Sequence, residues 1–444
     1  MLTYQDFERG GLGLVPRVIA EHQAGELYQT AVTADEYDRQ KNTTIYNYVQ
    51  TLFSLTGAAL VDYTATNNRI ASNFFHRLNT QRCQYSLGNG VAFSGEDGAR
   101  VKEALGDRFD TDLKRCAYKA LIHGVSFGFW DLNRLYCFPV TEFAPLWDET
   151  TGALRAGLRF WRLGPEKPWT VAVYEEDGYT ILRGPAIGAL RVSQEKRGYK
   201  ALVRSTPADG ETVAGYENYG TLPIVPFWGS DLHQSTLVGM RQAIDSFDLI
   251  QSGFANDLSD CTQVYWILEN YSGMSDDQIS QMRDRLRFTH IATADTLSGG
   301  AIKPYTVEIP FEARKTYLDH IRKGIYEAFG ALDVTDLSSG NRTATEINSA
   351  YQPMDEEADD FEYQCIEFVQ QVCALAGFDG ATPIFKRNKI SNQLEQTQMI
   401  LSAAEYLDAE TVLKHLPFIS IDEITGIMQG VDREEGRRVE DELL

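Results

Sequence analysis

The sequence contains no run of the roughly 18 consecutive apolar residues that a membrane-spanning helix requires, so a transmembrane role is not expected. Its start, MLTYQDFERGGLG, carries Asp6 and Glu8 where a secretory leader would be basic, and no apolar run follows. The chain is therefore expected to stay in the compartment where it is made. The dipeptide Gly-Lys occurs nowhere, which excludes the Gly-Lys-Ser/Thr ending of a phosphate-binding loop and with it a Walker-type ATPase site. The H-E-x-x-H and EF-hand patterns are missing as well. Cysteines stand apart at Cys83, Cys116, Cys137, Cys261, Cys365 and Cys373 with no C-x-x-C pair, and the histidines are equally dispersed. Neither a metal centre nor a disulfide framework is expected; the cysteines read as small buried hydrophobes in a reduced setting. No cofactor, internal repeat or low-complexity segment is indicated.

Negative charge is what the sequence has in plenty. Acidic residues number 63 against 41 basic ones, a net charge of −22. Such a chain repels phosphate backbones, and taken alone this argues against a nucleic-acid binder, which is basic on at least one face. A length of 444 residues with 43% hydrophobic and 23% charged residues suits a soluble protein of about two to four packed units.

Patterning points to an α+β chain. Residues 1–66 are mixed, with a helix expected through Tyr46 to Leu60. Asn67 or Asn68 is placed to cap a helix carrying Ile70, Phe74 and Leu78, which ends before the Gly88-Asn89-Gly90 turn. A second helix is expected from about Asp110 to His123, then a β-rich block from Val125 to about Phe227 with a hairpin turn at DETTG (148–152). The spacing of Leu237, Met240, Ile244, Phe247, Ile250, Phe254 and Leu258 predicts a helix from about Ser235 to Asp260 with one packed apolar face. A small α/β insert follows: a strand QVYWILEN, a capped helix SDDQISQMRDRLRF, and strands near THIATA and KPYTVEI. Pro310 then opens a helix through Tyr317, Leu318, Ile321, Ile325 and Phe329.

After the turn-prone DVTDLSSGNRT (333–343) comes the longest regular signal in the chain. Ile347, Tyr351, Met354, Ala358, Phe361, Cys365, Phe368, Val372 and Leu375 alternate four- and three-residue steps. This predicts a helix roughly 50 Å long. Pro353 is expected to kink it near residues 349–353. No Lys or Arg occurs from Thr343 to Phe385, so its other faces are acidic. The stripe reads equally as a domain core or as a seam between subunits. A short strand, TPIFKRN, and a helical acidic tail complete the chain.

Few motifs carry chemistry. Gly124-Val125-Ser126-Phe127-Gly128 spells G-x-S-x-G, but a nucleophile elbow needs a strand before the serine and a helix after it, and here the order is reversed. A turn entering a sheet is the expectation, with a soluble hydrolase using Ser126 kept as a distant alternative. Gly88-Asn89-Gly90 lacks the third glycine of a dinucleotide fingerprint and follows a helix, so it reads as a turn. Carboxylates are so abundant that no particular pair stands out for acid–base work.

Two stretches bear a resemblance. The run NRIASNFFHRLNTQRCQYSLGNGVAFSG, followed by AYKALIHGVSFGFWDLNRLYCFPVTEFAPLWDETTGALRAGLRFW, resembles the wing region of tailed-phage portal proteins of the siphophage type. LPIVPFWGSDLHQSTLVGMRQAIDSFDLIQSGFANDLSD is similar to that family's passage into its first stem helix, and TVEIPFEARKTYLDHIRKGIYEAFG to the return through the second. The order helix, α/β insert, helix, loop, long kinked helix agrees with stem, clip, stem, tunnel loop and wing helix over roughly residues 40–415.

The resemblance implies a portal fold assembled as a ring: wing over 1–234, stem helices over 235–260 and 310–330, clip over 261–309, tunnel loop over 331–343, long wing helix and short strand over 344–390, and crown over 391–444. It implies a homo-oligomer of about twelve subunits closed by a heterologous interface, with no catalytic role. Double-stranded DNA would pass the tunnel-loop residues Asp333, Val334, Asp336, Leu337, Ser338, Asn341 and Arg342. Arg314, Lys315, Arg322 and Lys323 are candidates for touching DNA from the second stem helix, with salt bridges to a neighbouring subunit as the competing reading. Tyr265, Trp266, Glu269, Arg283 and Arg287 would dock partners at the clip. The implied partners are the terminase large subunit, which would hydrolyse the ATP, a head-to-tail adaptor, and the major capsid and scaffolding proteins. No membrane is involved, and the place is a capsid vertex, after assembly in the host cytoplasm. Another ring-forming virion protein, such as an adaptor, is the alternative; it would lack the helix–insert–helix excursion at 235–330. On the portal reading, an acidic wall repels the duplex toward the channel axis and lets it slide.

Overall fold

The helix expected near Asp110 forms as Phe109–His123, with Leu113, Cys116, Ala117, Ala120 and Leu121 buried at three- and four-residue steps. Gly124 ends it at φ 89°, where a Cβ would stand 2.8 Å from the backbone carbonyl carbon of Gln234. The computed structural model describes residues 2–53, 57–63, 65–95, 97–206, 210–261, 265–269, 275–281, 301–305, 311–337, 344–389, 400–416, 419, 424 and 427. The chain divides into two compact units, one of Met1–Lys41, Asn73–Arg241 and Tyr326–Leu444, the other of Asn42–Ser72 and Gln242–Ile325.

The first unit is α+β. Its larger sheet is a five-stranded antiparallel meander whose strands pair in chain order: Phe143–Trp147, Leu154–Trp161, Trp169–Glu175, Gly178–Gly184 and Arg191–Arg197. Asp148 holds the expected hairpin turn by accepting the Thr150 and Thr151 N–H groups (2.9 and 2.8 Å). One face of the meander is buried under the N-terminal helices, with Phe7, Val15, Val18 and Ile19 packed among Leu146, Leu158, Phe160, Val171 and Val173. A three-stranded antiparallel sheet has Val125–Asp131 at its centre, flanked by Arg134–Pro139 and Ile224–Trp228. Pro226 lies in the second flanking strand, an edge, where a missing N–H is tolerated.

The long helix forms as Ala344–Leu375 and runs without a break through Pro353. Its stripe from Tyr351 to Val372 is buried within this same unit, the Phe368 ring stacking on Phe227 at 4.4 Å and Phe361 on the same ring at 6.4 Å. Of the two readings of the heptads, the domain core holds. Its acidic side is met from outside the helix: Arg387 pairs with Asp355 (2.9 Å), Glu362 (2.9 Å) and Asp359, and Lys389 with Asp355 (2.7 Å). These cations sit just past the Pro383–Phe385 strand, which pairs with Val91–Phe93.

Two expected elements are corrected. No helix spans Tyr46 to Leu60. Thr43–Tyr46 makes one turn, and Thr51–Phe53 pairs with Ala59–Val61 as an antiparallel hairpin around Gly57 at φ 81°. The apolar residues there are exposed, so no core enforces the helical period that their spacing suggested. The helix assigned to Asn67 onward begins only at Phe74, as Phe74–Leu87. Asn68 to Ser72 is instead held by a set of polar partners on the helix Leu237–Cys261.

Candidate functional site

The second unit is built around that helix, which matches the expected Ser235–Asp260 in position but not in its packed face. Leu237, Met240 and Ile244 are buried as predicted, but Leu258 is exposed, and from residue 248 onward the buried stripe is Asp248, Ser252 and Asn256. These polar groups accept backbone N–H donors from an extended strap: Ser72 to Asp248 (2.9 Å), Ile70 to Ser252 (3.0 Å) and Asn68 to Asn256 (2.6 Å). The matching is geometric. Two residues of extended chain rise about 6.6 Å and four residues of α-helix about 6 Å, so every second strap amide meets every fourth helix position. Asn42 adds a second donor to Asp248 (2.5 Å). Burial pushes the Asp248 carboxyl upward, against these hydrogen bonds.

The other face of this helix meets the second helix, Phe311–Phe329: Phe254 against the Phe311 ring at 5.4 Å, and Asp257 paired with Arg314. Between the two helices the strands Tyr265–Glu269 and Ala301–Tyr305 form an antiparallel hairpin, with Tyr265 opposite Tyr305 and Trp266 opposite Pro304. The expected capped helix begins as read, Ser275 and Gln278 exchanging reciprocal bonds (3.0 and 3.5 Å). Helix, hairpin and helix thus follow one another where the alternative adaptor reading would have had no such excursion.

The predicted site residues fall as follows. Arg314 is tied to Asp257 within its own unit and lies over the Phe254 ring, 5.8 Å from its centroid. Lys315 and Lys323 are exposed and Arg322 is half-buried. Tyr265, Trp266 and Glu269 share the first strand of the hairpin. Arg283 and Arg287 lie outside the described residues, as do Ser338, Asn341 and Arg342 of the expected loop. Asp333, Val334, Asp336 and Leu337 are brought together in a short segment: Val334–Leu337 forms one helical turn, and Asp333 accepts the Thr335 N–H at 3.0 Å.

What fixes that segment escaped the sequence reading. Gly330, at φ 62°, closes the second helix in a Schellman arrangement, with Ala331 N–H donating to the Tyr326 carbonyl (2.9 Å) and Gly330 N–H to that of Glu327 (3.1 Å). Arg82 reaches the same helix end from Phe74–Leu87. Its guanidinium donates to the Phe329 carbonyl (2.6 Å), pairs with Glu357 (2.8 Å) and covers the Phe329 ring at 4.2 Å. Gln81 donates to the Leu332 carbonyl (3.0 Å), and Leu332 is buried with Tyr85, Tyr351, Met354 and Ala358. A lone arginine and glutamine on a helix give no sequence signal for this role.

Catalytic alternatives find no support in the geometry. Ser126 is fully buried on a central strand and donates to the Cys116 carbonyl at 2.8 Å, so its hydroxyl is neither accessible nor next to a base. Its two glycine neighbours have structural causes, the helix end at Gly124 and, at Gly128, the Phe368 ring 2.4 Å from where a Cβ would lie. The nearest thing to a polar cluster joins Asp35 to Lys119 (2.7 Å) and His123 (3.0 Å), and Asp38 to His76 (2.9 Å) and Tyr118. His123 is fully buried, and burial holds its pKa below the ordinary value. Burial also acts to raise Asp35, but the bonds from His123 and Lys119 outweigh it and hold that carboxyl well below the usual range. Among the described residues no group of His, Cys, Asp and Glu is arranged to hold a metal ion, and no helix is long and apolar enough to cross a membrane.

The model of the family described as phage portal protein, SPP1 Gp6-like, matches residues 32–441. The chain belongs to this phage portal protein family. Portal family relatives with curated names agree. The chain is 23% identical over 425 residues to the portal protein of Bacillus phage SPP1, covering 89% of this chain and 80% of that one. It is 28% identical over 218 residues to the portal protein of Clostridium phage phiCD119, a match spanning 47% of this chain and 48% of that relative, about half its length. Among solved structures, a chain from the neck of an empty GTA particle, computed with C6 symmetry, is similar at a TM-score of 0.42 and 10% identity, over 77% of this chain and 88% of that one.

Proposed function

We propose that the protein is the subunit of a homo-oligomeric portal ring at a capsid vertex, through which double-stranded DNA is packaged and released. The portal family match across residues 32–441 carries this reading. The helix–hairpin–helix order of the second unit supports its assignment as stem, clip and stem, and the segment after Gly330 as the start of the loop facing the duplex. On this reading the hairpin bearing Tyr265, Trp266 and Glu269 docks the terminase motor and later the head-to-tail adaptor, while capsid and scaffolding proteins seat the ring. ATP hydrolysis belongs to the motor.

The net charge of −22 suits a conduit better than a binder. A duplex held by many Lys and Arg contacts is bound through counterion release and slides poorly, whereas an acidic wall keeps it near the axis. Lys315 and Lys323, exposed on the second helix, and Arg342 are the cations proposed to touch it. Electron microscopy of the purified chain tests the reading. Closed rings are the expected outcome, and monomers or dimers alone under assembly-permitting conditions would overturn it.

A further inference from the structure

The second unit carries two apolar surfaces that its own chain leaves uncovered. The first is the hairpin Thr51–Phe53 with Ala59–Val61, in which every residue is exposed, Phe53 at 74%; Tyr63 just beyond it is 91% exposed. A two-stranded hairpin without a packed face is marginally stable by itself. The sequence there is unusual as well: from Asn42 to Val61 it has no charged residue, in a chain where 23% of residues are charged. The second surface is an open groove of about 500 Å3 lined by Ile250, Gly253, Ala313, Arg314 and Tyr317, with the half-exposed Phe311 beside it.

We propose that this hairpin is an arm that seats in the helix groove of a second copy of the chain. Charge chooses the occupant. Two copies that each carry −22 repel wherever acidic faces meet, so a self-association surface must be free of carboxylates, and the arm is free of all charge. The same lack of charge disfavours DNA, which is bound through cations. None of the groove's five lining residues is a carboxylate, and its arginine, Arg314, is paired with Asp257. The strap that leads out of the arm is bonded at helix positions 248, 252 and 256, while the groove uses 250 and 253. At about 100° per residue the two sets are centred roughly 130° apart around the helix axis, so strap and groove are separate patches. Arm and groove are then two different patches on one protomer, the requirement for a heterologous contact that repeats around a ring. This inference rests on the ring reading above and names which surfaces make the contact.

The test is oxidative cross-linking of the full chain carrying Phe53→Cys and Ala313→Cys together, with each single variant as control. Cys83, Cys116, Cys365 and Cys373 are buried and Cys137 is half-buried, and the single variants read the background of the native cysteines. The double variant is expected to give a ladder of multimers on a denaturing gel and neither single variant a ladder. A second variant, Leu52→Asp with Leu60→Asp, is expected to leave the thermal melt of the chain in place and reduce the ring fraction at least tenfold by mass photometry. Rings from the wild type together with no ladder, or undiminished rings from the Asp variant, overturn the arm contact while the portal reading stands. A wild type that forms no ring overturns both. A monomeric chain that binds phosphatidylcholine vesicles through the arm would also overturn the proposal.

Discussion

Arg82 joins three things that are far apart in the chain: a helix-end carbonyl at Phe329, an aromatic face, and the Glu357 carboxylate of the long helix. Only 12% of its side chain is exposed, so the Arg82→Ala variant leaves a carbonyl and a carboxylate short of a donor. We expect a loss of about 2 kcal/mol in urea unfolding, larger than for Arg17→Ala, an exposed arginine paired with an i,i+4 glutamate. A second expectation at this scale concerns acid. Burial disfavours the charged form of His123 in the folded chain, while the unfolded chain takes up its proton near pH 6.5, at about the ordinary histidine value. The stability this contributes is present above that pH and lost as pH falls. Asp35, held low, adds a loss that begins near the ordinary carboxylate value of about 4. The melting temperature should therefore drop as pH falls below about 6.5 and again below about 4, and His123→Gln should flatten the first drop; an unchanged slope in that variant would count against His123 as its source. Neither Arg82 nor His123 was legible in the sequence, because their roles depend on partners remote in the chain.

Among the elements, periodicity served well where apolar residues faced a core and failed where they did not. The Phe109–His123 helix, the hairpin at Asp148 and the stripe of the Ala344–Leu375 helix were readable because their burial is apolar and local in pattern. In the Leu237–Cys261 helix the same rule chose the wrong face beyond Ile244, since what is buried there is polar and satisfied by strap amides. Asp248 is the centre of that arrangement. Asp248→Ala should cost about 2 to 3 kcal/mol, because the Ser72 N–H and the Asn42 amide lose their acceptor. Hydrogen exchange should show the Ile70 and Ser72 amides losing protection together, and protection unchanged from the wild type would argue against the strap as a unit.

At the scale of the whole molecule, the reading of charge changed its sign. Excess carboxylate first argued against a DNA partner and, once the portal family was established, suits the conduit proposed above. The assembled protein should retain linear duplex DNA weakly, with little retention on a filter at about 0.15 M salt and a shallow dependence on salt. Glu312→Lys with Asp319→Lys on the second helix should raise retention several-fold if that helix faces the duplex. Equal retention by both proteins would remove this helix from the channel wall. The family was legible in the sequence; which surfaces would meet another copy was not, since a single sequence contains no record of its neighbours.

The strap along the Leu237–Cys261 helix also restricts how this part of the protein can vary. Its three amides are bonded at every second residue, so insertion or deletion of a single residue between Asn68 and Ser72 turns carbonyls toward acceptors that need donors. Substitutions that keep the backbone extended leave these three bonds in place, although at Arg69 they remove the bond from its guanidinium to the Tyr46 carbonyl (2.8 Å). The segment should vary more in letters than in length, so that in a set of relatives its gaps would fall on either side of it.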